Sequence, residues 1–339
     1  MKKIIKLILN NFISILFLII IFGAFLKSII NTQFDFKNIE RNLVIAKNQL
    51  EEQFSDNFAF KKELSSIDNN TRYFVSKKST STQGLVGKQG WFFYKSETDG
   101  DSINDYLGTN LLTDEELLKI KDNLLTQENK LNELGIRFVI MILPNKEQVY
   151  SRYMPDEIGK KAEKSRTDLI IEYLQSNTDL EIVYPKNELI SNINDHQIYY
   201  KCDTHWNELG AYIGEQQLLF QLYGEKRPPL DYYKINAKST TLTDLANTAS
   251  LAWTCKTKDD YIIENYGKNM SKYDDTILFV GDSFRTSLTP YLTLDFPNIN
   301  IIHLFDYSMD LLFDMNPNII ILELVERYSD RLEIQQFIW

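Results

Sequence analysis

An α/β fold is predicted, a three-layer doubly wound parallel sheet behind an N-terminal transmembrane helix, and three features of the 339-residue chain predict it. After residue 90, short apolar runs of strand length alternate with longer amphipathic runs, the order that builds a parallel sheet with helices on both faces. The runs at 138–143, 277–280 and 319–324 are apolar at nearly every position, as buried parallel strands are. An apolar stretch from Leu7 to Leu26, broken only by Asn10, Asn11 and Ser14, has about the length that crosses a bilayer as a helix.

Lys2, Lys3 and Lys6 precede that stretch and Lys27 alone follows it closely, so the N-terminus is expected to stay cytoplasmic and the rest of the chain to lie outside. No small-x-small cleavage site follows the run, which favours an uncleaved anchor at 1–27 over a signal peptide. Residues 28–82 read as a membrane-proximal helix and linker. Ile39, Leu43, Ala46, Leu50 and Phe54 recur at near-helical spacing, and the polar segment 76–83 marks the domain boundary.

Residues 83–339 then form one domain. Within it 91–94 reads as a short strand, and 114–134 as an amphipathic helix with Thr113 as N-cap and Gly135 as its stop. A buried strand at 138–143, a helix at 165–175, a strand at 180–184 and a helix at 207–222 follow. Residues 224–275, rich in Lys, Thr and Asp, read as a loop-rich insertion with little regular structure. The chain closes with a strand at 277–280, a helix, a buried strand at 299–305, a helix and a strand at 319–324. Gly84, Gly87 and Gly90 make no phosphate loop, because no strand precedes them.

Hydrophobic residues make up 43% of the chain, with 20 Phe and 19 Tyr, enough to bury one large core. The net charge is −10, and the four lysines and no acid of the first 27 residues leave the remainder at −14. Such a surface excludes nucleic acid as a partner and repels highly anionic polymers. The two cysteines, Cys202 and Cys255, lie beyond the membrane, where a disulfide survives. Sequence does not fix the Cα separation a bond requires, so their pairing stays open. No spacing of Cys and His resembles a metal ligand set, and no cofactor is implied.

The chemistry gathers at Gly281-Asp282-Ser283-Phe284, directly after the apolar run 277–280. There a serine hydroxyl projects beyond the carboxyl end of a parallel strand, and the next helix aims its N-terminal amides at the same place. Serine needs a general base, and the base an orienting group. Of three histidines, His303 reads as a hydrogen-bonded core residue of strand 299–305 and His196 as a solvated loop residue. His205 differs, because Asp203 two residues before it can return to the ring nitrogen that faces away from the serine. Asp282 is read as a helix cap. Asn145 and Lys146 follow a strand at the active-site edge, where a turn after Pro144 explains them equally well. Trp206, beside the base, is divided between stacking on a sugar and packing in the core.

Gly-Asp-Ser with an Asp-x-His resembles the SGNH hydrolase superfamily, and Asp203-Thr204-His205-Trp206 placed before Gly281-Asp282-Ser283-Phe284 resembles its permuted branch, the alginate O-acetyltransferase AlgJ/AlgX-like proteins. Segments beginning at Phe54, Gly87, Leu143, Thr243 and Glu323 add to the likeness. The resemblance implies a circularly permuted SGNH-like domain in which Ser283 is nucleophile, His205 base and Asp203 orienter. It also implies an oxyanion-hole glycine and asparagine after the next two strands, where this chain has Asp306-Tyr307 and Glu326-Arg327 instead. Arg327 or Tyr307 is then the candidate second donor beside the Ser283 N–H. Against that role, Arg327 could equally form a structural salt bridge with Glu323 or Glu326.

The function so implied is a membrane-anchored, extracytoplasmic O-acetyltransferase acting on a secreted or cell-surface polysaccharide. Acetyl-CoA is absent outside the cell, so the resemblance further implies a membrane-bound O-acyltransferase that supplies acetyl. A carbohydrate esterase with the same triad, or a non-catalytic component of a polysaccharide export complex, remains open.

Overall fold

The computed structural model of the chain describes residues 61–79, 81–267 and 272–338, with isolated positions between 19 and 52. The apolar stretch 7–26 and the helical pattern of 35–60 lie for the most part outside the described residues. Among the described residues no helix is long and apolar enough to cross a membrane. The chain divides into two compact units, Met1–Ser76 and Lys77–Trp339. In the first, helix α1 (Lys61–Ser76) carries an Asp68–Arg72 ion pair one turn apart, at 2.9 Å.

The second unit opens with β1 (Gly84–Val86) and β2 (Phe92–Tyr94), paired antiparallel as a separate ribbon. The strand expected at 91–94 therefore exists but stands outside the main sheet. Helix α2 (Ser102–Leu107) precedes α3 (Asp114–Glu133), which Thr113 and Glu116 open with a reciprocal capping box. After β3 (Arg137–Leu143) come the short α4 (Lys146–Val149), α5 (Arg166–Asn177), β4 (Glu181–Val183) and α6 (Lys186–Asn192). Helix α7 (Glu208–Tyr223) starts where Asn207 accepts hydrogen bonds from the N–H groups of Leu209 and Gly210.

The segment 224–275 is more ordered than its composition suggests. It holds β5 (Ile235–Lys238), α8 (Asp244–Thr248) and β6 (Asp260–Ile263), with β5 and β6 paired antiparallel. Its polar composition hid these elements, whose strand residues are half-buried or exposed and so show no buried apolar run. The chain then continues through β7 (Thr276–Gly281), α9 (Arg285–Asp295), β8 (Asn298–His303), α10 (Met309–Met315) and β9 (Ile319–Val325).

Five parallel strands form the main sheet in the order β4-β3-β9-β7-β8. Side chains alternate across it, as the two-residue strand period demands. Val139, Met141, Leu143, Ile277, Phe279, Ile319 and Ile321 meet one apolar layer with residues of α7 and α9. Phe138, Ile140, Ile142, Leu278, Val280, Ile320 and Leu322 meet the other with residues of α3, α5 and α10. The result is helix, sheet and helix in three layers. Strand β8 departs from the expected buried strand at 299–305. It sits at the sheet edge with neighbours on one side, is only half-buried, and ends at His303, leaving Phe305 exposed.

Cys202 and Cys255 are joined by a disulfide across 53 residues, with Cα atoms 6.2 Å apart. In the chain-entropy picture a loop of that length contributes about 4 kcal/mol by restricting the unfolded chain. Urea unfolding with and without a reductant tests this. Reduction is expected to lower the unfolding free energy by about that amount, and the Cys202→Ser/Cys255→Ser variant should match the reduced protein and be insensitive to reductant.

Candidate active site

The carboxyl ends of β3, β9, β7 and β8 open at one edge of the sheet, where open α/β folds build their sites. Between the end of β7 and the start of α9 the turn is only Asp282-Ser283-Phe284. Gly281 lets the chain enter this turn, since a Cβ there would strike the carboxyl of Glu323. Asp282 is not the cap expected of it, because the N-cap of α9 is Phe284, which makes no side-chain capping bond; Asp282 ties the turn instead. One of its oxygens accepts the Phe284 N–H and the other the Val325 N–H, both at 2.8 Å, so the turn is tied to the end of β9. Ser283 is left exposed at the tip.

The histidine arrives on a loop held from below. Lys146, at the start of α4, is buried, and its ammonium donates to the carbonyls of Tyr200, Lys201 and Asp203 at 3.0, 3.3 and 2.6 Å. Three donors meet three acceptors, which compensates the burial of the charge. Burial still pushes its pKa down to about 8, against the pull of Asp244 and Asp203.

Asp203 faces His205 from the same loop. Its Oδ1 accepts from His205 Nδ1 at 2.7 Å and from the His205 N–H at 3.1 Å, while Oδ2 accepts the Asp244 N–H at 3.1 Å. Burial by itself would raise this carboxyl. The hydrogen bond and charge of His205, with the two backbone N–H groups, outweigh burial and hold it at about 2. A carboxylate only accepts, so Nδ1 carries the proton and Nε2 presents its lone pair. Ser283 Oγ lies 2.8 Å from that Nε2, and the Phe284 ring packs against the imidazole with centroids 4.8 Å apart.

Asp244 supports this arrangement from α8. Its oxygens accept from the Thr204 N–H and hydroxyl at 2.7 and 2.6 Å, and burial followed by the charge of Asp203 raises its own carboxyl. Asp203, His205 and Asp244 also bring three potential metal-ligating atoms within 4.8 Å of one another. The hydrogen bonds just described already engage Asp203, Asp244 and His205 Nδ1.

A cleft of about 740 Å³ opens beside Ser283, lined also by Asp99, His303, Phe305, Tyr307 and Arg327. Arg327 is 8% exposed, and its guanidinium lies against the rings of Tyr94, Phe284 and Tyr328, with Nε lacking a hydrogen-bond partner. The structural salt bridge considered for it does not form. Glu326 accepts from Ser165 and the Asn145 N–H instead, and Glu323 lies against Asp282.

The remaining candidates fall in different places. Trp206 is fully buried and donates its indole N–H to the Phe284 carbonyl, so it is core beneath the site and stacks on no sugar. Tyr307 lines the cleft, but its hydroxyl proton goes to the Ile338 carbonyl at 2.7 Å and is not free for an oxyanion. Asn145, just past the end of β3, is buried, with its N–H bonded to Glu326 and its side-chain Nδ2 without a hydrogen-bond partner. His196, expected to be solvated, is half-buried and faces Asp231 at 3.0 Å. His303 is not a core residue, for it lines the cleft at the end of β8. The roles of Lys146 and Asp244 escaped sequence reasoning. A lone lysine or aspartate near a turn carries no signal of what a residue 40 or more positions away will bring to it.

Residues 85–285 match a protein family described as SGNH hydrolase-like domain, acetyltransferase AlgX, a span that contains Asp203, His205 and Ser283. The chain is similar to three solved structures among others. The O-acetyltransferase domain of Pseudomonas putida AlgJ is 16% identical, with 75% of this chain and 93% of that chain covered and a TM-score of 0.47. Bacillus cereus PatB1, solved with a sulfonyl adduct, is 17% identical, with 75% and 96% covered and a TM-score of 0.48. Pseudomonas aeruginosa AlgX is 17% identical, with 79% and 67% covered and a TM-score of 0.48. No curated protein matches the chain.

The depressed carboxyl of Asp203 sets a pH signature. Its ionised form contributes stability that is complete above the unfolded carboxylate range and is lost as pH falls through about 2. Unfolding free energies of the native protein and of Asp203→Asn, compared between pH 7 and pH 2, should differ by about 2 kcal/mol more at the upper end than at the lower. A pH-independent difference would mean that the His205–Asp203 bond does not hold the carboxyl down.

Proposed function

The chain belongs to the SGNH hydrolase-like, acetyltransferase AlgX family, and from that membership we propose an O-acetyltransferase that moves acetyl groups onto hydroxyls of a secreted or cell-surface polysaccharide through an acyl-Ser283 intermediate. The observation that carries this reading is the unbroken line Asp203, His205, Ser283, with contacts of 2.7 and 2.8 Å and the serine open to a cleft.

In the first half-reaction His205 Nε2 takes the Ser283 proton as Oγ attacks the acyl carbonyl. The bond to the donor's leaving group breaks, and His205 returns the proton to that group. In the second half a sugar hydroxyl gives its proton to His205 and attacks the acyl-serine; the acetyl moves to the sugar and Ser283 regains its proton. Asp203 stabilises the imidazolium in both halves. The Ser283 N–H and the Arg327 guanidinium serve as oxyanion donors, a role consistent with the unpartnered Nε of Arg327. The apolar stretch 7–26 anchors the protein in the membrane with the catalytic domain outside. There a membrane-bound O-acyltransferase supplies acetyl, and the strongly acidic chain favours no nucleic acid.

Ser283→Ala is expected to abolish acyl turnover, by up to roughly 10⁶-fold, and Asp203→Asn to slow both half-reactions by something on the order of 10⁴. Mass spectrometry of the intact protein after addition of an acetyl ester should show an adduct on Ser283 that oligosaccharides discharge faster than water. Rapid hydrolysis indifferent to sugars would establish an esterase instead, and absence of both adduct and turnover a non-catalytic component. Protease added to cells stripped of their wall is expected to digest the domain; protection of the domain would reverse the topology.

A further inference from the structure

We infer that Phe305, set by His303, is the platform on which a pyranose ring of the acceptor stacks beside Ser283. The inference rests on the transferase reading and names where its acceptor binds. Strand β8 stops at His303 because the ring nitrogen Nδ1 of that residue accepts the Phe305 N–H at 3.2 Å, which folds Leu304–Asp306 into a single tight turn. The two rings lie 4.8 Å apart and tilted by 42°, so the imidazole props the phenyl ring from one side. The turn sends Leu304 toward the apolar layer beneath the sheet and leaves Phe305 88% exposed.

A single exposed apolar residue is ordinary on a protein surface. This one differs in its place. Phe305 and His303 line the same cleft as Ser283 and Arg327. A pyranose ring is amphipathic, with C–H groups on its faces and hydroxyls on its rim. An aromatic face covers the first, and polar groups beside it must meet the second. Those groups are present. Because Nδ1 of His303 accepts, the neutral imidazole carries its proton on Nε2 as a hydroxyl donor. Arg327 adds guanidinium donors, while the Asp99 carboxylate, whose Oδ2 accepts from Tyr94 and Tyr328 and whose Oδ1 accepts from Arg331 alone at 3.3 Å, offers acceptor capacity on Oδ1. A flat apolar partner protein would leave these polar groups unmatched, whereas a sugar ring uses the phenyl face and the polar rim together.

The test uses the full-length protein in detergent with Ser283→Ala, so that no turnover confuses binding, and chitohexaose and cellohexaose as probes. Saturation-transfer NMR should show ring C–H protons in contact with the protein. Adding Phe305→Ala should weaken binding of whichever probe is bound about tenfold, and Phe305→Trp should restore it to within about twofold, as removal and replacement of one aromatic face predict. Unchanged melting temperatures keep the comparison free of unfolding. Failure of both probes to bind, or equal binding with and without the phenyl ring, overturns the platform. In the protein with Ser283 intact, loss of acyl formation and of transfer in equal measure on Phe305→Ala overturns it as well. If Phe305 governs sugar binding while no acyl-Ser283 forms with any donor, the platform stands and the transferase reading falls.

Discussion

The buried ammonium of Lys146 is the interaction on which the site depends. Ser283 and His205 reach the same place from different parts of the chain: Ser283 from the end of β7, between β9 and the edge strand β8, and His205 from a loop with no strand of the main sheet in it. Only an attachment between that loop and the sheet can bring the two within 2.8 Å. Lys146 is placed at the carboxyl end of β3, and its three donors hold the carbonyls of the loop before His205. A buried cation is tolerated where its hydrogen bonds are complete, and removal of any acceptor would leave charge without compensation. The same side chain lies over the rings of Trp91 and Phe93, which ties the β1–β2 ribbon to the arrangement.

Further bonds converge on the same loop. The disulfide joins Cys202 to Cys255, and the Asp244 carboxylate holds Thr204. Asp259 accepts from the Lys201 N–H and from Gln197. Three of these partners come from the segment between α7 and β7. That segment therefore braces the loop that carries His205.

The serine turn is held differently, through carboxyls below the sheet edge. Asp282 bonds the amides of Phe284 and Val325, and Glu323 lies fully buried beneath Gly281. Burial, and then the charge of Asp282, push the Glu323 carboxyl well above its usual range. The cation of Arg327 lies on the cleft side of Phe284.

Much of this architecture is legible in the sequence, because strand and helix periods are local properties of the chain. The apolar runs of β3, β7 and β9, the capping residue Thr113 and the strand-to-helix turn at Ser283 all follow from spacing and residue type. Asp203 and His205 are legible for the same reason, being two residues apart. Tertiary structure alone decided what depends on distant neighbours: that Trp206 is core and Arg327 lines the cleft, that Tyr307 gives its proton away, and that Lys146 and Asp244 brace the base. It also decided that β8 is an edge strand, so that its last turn faces solvent and Phe305 is exposed. An apolar run records that a segment prefers burial, but strand order determines whether a second layer is there to bury it.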